Sequence, residues 1–86
     1  SFLGPSELWL SRTHGQKLVI SASHDDYPAL LAEALDRLQG TGWQIAPAAE
    51  LLGVSTSQLI GLFKKAPAAL VVVNKHRLAI GLPGLK

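Results

Sequence analysis

A glycine, an apolar residue and a serine set between two apolar-striped segments constrain this chain more than any other feature. The stretch Ile45–Lys65 reads Ile-Ala-Pro-Ala-Ala-Glu-Leu-Leu-Gly-Val-Ser-Thr-Ser-Gln-Leu-Ile-Gly-Leu-Phe-Lys-Lys. Ala48, Ala49 and Leu52 fall on one face of a short helix. Gly53 follows, where a helix end calls for a residue that tolerates the left-handed conformation. Val54 is apolar and suits the angle between two helices. Ser55 has the chemistry of an N-cap, with Gln58 three residues later in capping-box spacing. Leu59, Leu62 and Phe63 then repeat at i, i+3 and i+4 and face back toward Ala49 and Leu52. A small residue at Ala49 lets two helices cross closely over so short a turn.

This order of residues resembles the helix-turn-helix of bacterial DNA-binding proteins. The resemblance covers about a quarter of the chain and rests on about seven positions that agree together. In that family the second helix enters the major groove. The resemblance therefore implies a reading helix over Thr56–Lys65, with Thr56, Ser57, Gln58, Gly61, Lys64 and Lys65 facing outward. It also implies double-stranded DNA as partner, a role in transcription regulation and a bacterial cytoplasmic setting. Gln58 has two candidate roles: reading an adenine edge, or bonding back to the Ser55 amide. Lys64 and Lys65 suit phosphate contact, and equally the negative end of their own helix.

Around this motif the chain reads as a mainly α fold with a small β-hairpin. Ser1–Ser6 is an irregular lead-in. Glu7–Arg12 and Lys17–Ser23 alternate like strands around the turn Thr13-His14-Gly15-Gln16, which predicts a hairpin over 7–23. Ser23-His24-Asp25-Asp26 is cap-rich and leads into a supporting helix over Pro28–Gln39, with Leu30, Leu31, Ala34, Leu35 and Leu38 as its stripe. Glu33 and Arg37 are spaced for an i, i+4 pair on its outside. The size of Trp43 suggests a core anchor. Residues 67–80 admit two readings. Pro67, Gly81 and Pro83 punctuate a helix; the run Val71-Val72-Val73 favours strands, which would make a winged-helix hairpin around Asn74-Lys75. The end signals favour the helix. Its apolar residues go all the way round, so it is expected to be well buried or to face a second subunit.

At 86 residues a single domain, 1–86, is expected. No apolar run approaches the ~20 residues of a membrane span, and the start lacks the basic and apolar regions of a signal peptide. Absence of Met suggests either a removed initiator or a domain of a longer protein. Without Cys there are no thiolate ligands, and no metal or cofactor is expected. His24, Asp25 and Asp26 are adjacent and cannot all converge on one ion, so helix capping is the better account. Ser55, Thr56 and Ser57 lack a readable His-Asp partner, and His76 lies between two cations, so no catalytic residue is expected and the chain is not read as an enzyme.

The charge of +2 is unevenly spread: after Glu50 there is no acid, while Lys64, Lys65, Lys75, Arg77 and Lys86 all follow. That distribution suits an anion-facing surface, with Lys75 and Arg77 joining Lys64 and Lys65 as a phosphate clamp. Since one such domain makes few contacts, dimerisation or a fused partner is expected, a homodimer forming through the free edge of the hairpin or the apolar C-terminal segment. The competing expectation is an assembly domain that keeps the two-helix scaffold to bind protein. It is favoured by a motif helix without Arg, by mid-helix Gly61 and by the apolar tail. RNA is a lesser option, because aromatics for base stacking are scarce.

Overall fold

A computed structural model describes residues 4–86. Ser1–Leu3 of the expected lead-in lie outside the described residues. The chain is mostly helical with one small antiparallel hairpin: α1 (Glu7–Ser11), β1 (Thr13–His14), β2 (Lys17–Leu18), α2 (Tyr27–Gly40), α3 (Ile45–Leu52), α4 (Thr56–Lys64) and α5 (Pro67–Ala79).

The first expected strand is corrected to a helix. Ser6 Oγ caps α1 by accepting from Trp9 N at 3.1 Å. Ser6 is itself held by both carboxylate oxygens of Glu33 on α2. Fixing Ser6 in extended geometry starts a helical turn, and that turn carries Trp9 inward while Leu10 stays exposed. The hairpin shrinks accordingly. Thr13 pairs with Leu18 and His14 with Lys17, and one further bond joins Val19 N to Arg12 O. The second expected strand, Lys17–Ser23, ends at Leu18 because residues from Ser21 onward turn toward α2.

Helix α2 brackets the expected Pro28–Gln39, with Pro28 in its first turn. Its start differs in chemistry from the expectation. Asp26 makes no side-chain capping bond; its carboxylate pairs with Arg12 at 2.7 Å, and His24 Nδ1 accepts from Asp26 N. The Glu33–Arg37 pair is likewise replaced. Glu33 turns to Ser6, while Arg37 reaches Asp36 and the carbonyl of Gly4.

Helices α3 and α4 cross at 100° over Gly53-Val54-Ser55. Gly53 has φ +70°, and the amides of Gly53 and Val54 donate to Glu50 O and Ala49 O. These paired bonds are the Schellman ending that a left-handed glycine permits. The same two bonds close α2 at Gly42 and α5 at Gly81. Val54 is buried in the angle, as its apolar character predicted.

The core gathers Leu30, Ala34 and Leu38 of α2 with Ala48, Ala49 and Leu52 of α3 and Leu59, Leu62 and Phe63 of α4. Two aromatic side chains bury their rings here and use their polar ends on carbonyls in the last turns of α3 and α4. Trp9 Nε1 donates to Leu52 O at 2.8 Å, and Tyr27 OH donates to Leu62 O at 2.7 Å. Trp43, the expected anchor, is half-buried and packs against this core from outside it. The helical reading of the C-terminal segment holds, and the wing does not form. Helix α5 is only partly covered: Val73 and Arg77 are buried, whereas Val71, Val72 and Leu78 are exposed. Among the described residues, no single helix is long and apolar enough to cross a membrane.

Candidate nucleic-acid interface

Ser55 caps α4 as its position predicts, its Oγ accepting from Gln58 N at 3.2 Å. The reciprocal bond is absent. Ser55 N donates to Gln16 O at 3.1 Å, and Gln58 Oε1 accepts from Leu18 N at 3.1 Å. Both therefore look toward the hairpin. Lys65 does the same, its Nζ reaching Ile20 O at 2.7 Å. Gln58 thus holds strand β2 and Lys65 the segment that follows it, and both are corrected from outward readers to brackets. Neither role weighed for Gln58, adenine reading or backbone capping, is the one it performs here.

The rest of the expected surface divides cleanly. Leu59, Leu62 and Phe63 point inward, so at 100° per residue the opposite row is Ser57, Gly61 and Lys64. Ser57 and Lys64 are exposed, as is Thr56 at the helix start. Gly61 sits between them, and a Cβ added there would meet nothing within 4 Å. The row is small, small, cationic, and its glycine leaves the helix backbone approachable. On one flank lies a cleft of about 190 Å³ against the hairpin, lined by Leu18, Ile20 and Gly61 among others. On the other is a groove of about 410 Å³ between Ile60 and the C-terminal residues Leu82 and Leu85.

Arg77 is corrected from phosphate clamp to structural bracket. It is 8% exposed, and donates to Trp43 O at 2.6 Å and Pro83 O at 3.0 Å. Asn74, within the expected helix, exchanges two bonds with the Leu85 backbone. Together they fold the tail back along α5. Trp43 adopts φ +65°, an outlier for so large a residue. It is held there by Arg77 on its carbonyl and by His76, whose ring stacks on the indole at 4.1 Å and 3°. Lys75 is exposed on the outer row of α5, between Val71 and Leu78 and opposite buried Val73 and Arg77, so the expected clamp loses Lys75 along with Arg77 and keeps Lys64.

Among the described residues no group of three His, Asp or Glu side chains is placed to hold a metal ion. His24 and Asp26 are joined through Arg12, which contacts both. The alternation of Leu18 and Ile20 signalled a face to be covered, but not that α4 would cover it. That contact links residues about 40 positions apart and leaves no local trace in the sequence.

Compared with protein-family models, curated proteins and solved structures, the chain matches none.

Proposed function

We propose that the chain is a DNA-binding domain of a transcriptional regulator, with α4 in the major groove. The observation that carries this reading is the α3–α4 pair. It crosses at 100° on a three-residue turn, and its second helix turns the row Ser57, Gly61, Lys64 to the outside. A major groove about 12 Å wide admits a helix, and Gly61 brings the helix axis closer to the base edges than any side chain would. Thr56 and Ser57, in the first turn, present hydroxyls and a positive helix end to phosphate. Lys64 supplies a charge at the other end. These three residues and Gly61 form the contact set; Gln58 and Lys65 shape it from behind. Such a regulator would act in the bacterial cytoplasm.

The test is binding to a generic duplex over a salt series. Each phosphate neutralised contributes about −0.9 to the slope of log affinity against log salt. Lys64→Ala is expected to flatten that slope by about 0.9 and to leave the melting temperature unchanged. A domain that binds no duplex at low salt refutes the proposal. The second reading, a protein-assembly domain, draws on the exposed apolar row of α5, where Val71 and Leu78 are 66% and 63% exposed; it forecasts that Lys64→Ala has no binding phenotype.

A further inference from the structure

We propose that the N-terminal hairpin serves as a wing, with Lys17 and His14 at its tip forming a second phosphate-contacting site on the duplex that α4 engages. The inference rests on the DNA-binding reading and adds a contact that the helix pair alone does not supply.

The hairpin is aligned with α4 along the helix's whole length. Gln16 O meets Ser55 N, Leu18 N meets Gln58 Oε1, and Ile20 O meets Lys65 Nζ. Residues 16, 18 and 20 thus meet residues 55, 58 and 65 in the same order. From residue 55 to 65 a helix advances about 15 Å. The two elements therefore run side by side in the same direction, fastened at both ends and in the middle. This places the hairpin tip at the N-terminal end of α4, beside Thr56 and Ser57.

The pleat then determines what the tip presents. Leu18 and Ile20 turn inward, half-buried and buried, so Lys17 and Val19 turn outward, and both are exposed. His14 is the direct cross-strand partner of Lys17 and shares its face. No acid occurs between Glu7 and Asp25, so the hairpin carries only cationic or titratable basic groups. Lys17, between the levels of Ser55 and Gln58, and Lys64 thus lie toward opposite ends of α4, roughly 11 Å apart along its axis. That span compares with a major groove about 12 Å wide. A helix lying in the groove with Lys64 at one wall brings the tip to the other.

Lys17→Ala, Lys64→Ala and Lys75→Ala remove the same charge from three exposed positions, so the duplex salt series separates location from net charge. Lys17→Ala and Lys64→Ala are each expected to flatten the slope by about 0.9, weakening binding roughly 5–10-fold at 0.1 M salt, while Lys75→Ala changes it little. Melting temperatures confirm that all three remain folded. If Lys64→Ala flattens the slope and Lys17→Ala does not, or does so no more than Lys75→Ala, the wing is refuted and the reading helix stands. If the unsubstituted domain binds no duplex at low salt, both fail.

Discussion

Tyr27 shows how much one polar atom contributes to this fold. Its ring is buried, and its hydroxyl donates to the Leu62 carbonyl. Burial raises its pKa above the ordinary value of 10.0, because the phenolate would lose its water. The raised pKa sets the sign of the linkage. The native state holds the proton more tightly than the unfolded state, so this contribution is complete below pH 10 and is lost as pH rises through the native value. Denaturant midpoints are therefore expected to hold from pH 7 to 9 and to fall above 10. Tyr27→Phe, which removes the only tyrosine, should flatten the alkaline fall at the expense of stability at neutral pH. At Ala49 the concern is volume. It is 3% exposed where α3 crosses α4, and Ala49→Leu is expected to destabilise by about 1–3 kcal/mol through overpacking. An unchanged melting temperature would mean that the crossing tolerates a larger side chain.

At the scale of elements, punctuation was legible and partnership was not. Gly53, Ser55, Pro67 and Gly81 each carry a backbone requirement in their own chemistry, so the turn of the helix pair and both ends of α5 could be read locally. Glu7–Arg12 could not. Six residues alternating Leu8, Trp9, Leu10 fit a strand or one helical turn equally well, and the outcome depended on Glu33 holding Ser6 from another helix. The two tryptophans make the same point: which indole is buried depends on whether Leu52 O or His76 lies beside it. Of the candidate surface, Thr56, Ser57, Gly61 and Lys64 were readable from helical period alone. Gln58, Lys65 and Arg77 were not, because their partners are backbone carbonyls and amides that any residue type could provide. Within α3 and α4 two glycines should respond oppositely. Gly53→Ala is strained at φ +70° and is expected to cost about 1 kcal/mol. Gly61→Ala fills open space in a helix interior and is expected to stabilise by up to about 1 kcal/mol. Thermal unfolding of both variants decides it, and a stabilised Gly53→Ala would contradict the turn geometry.

Among the described residues the outer face of α5 is uncovered, and its spacing argues for a second copy of the chain. Ala68, Val71, Val72, Lys75, Leu78 and Ala79 recur at i, i+3, i+4, i+7, i+10 and i+11 on the side of α5 opposite buried Val73 and Arg77. That is the stripe of a packing helix, not of a solvated one. No acid follows Glu50, so the row offers a partner little charge to complement and pairs best with another apolar row. A two-fold axis supplies one by placing each copy's Val71 against the other's Leu78, in antiparallel contact. Lys75 would lie near the centre and extend its ammonium to the rim. A 13-residue helix is only about 20 Å long. The area it can cover falls below the roughly 1,200–2,000 Å² of a stable interface. The dimer is therefore expected to be weak and to depend on concentration. Sedimentation should show monomer at low micromolar protein and a growing dimer fraction at roughly hundreds of micromolar. Leu78→Lys, at an exposed position, should abolish that growth without lowering the melting temperature. A chain that stays monomeric at the highest concentration leaves the face open to a different protein, and the proposed duplex contact would then rest on a single domain.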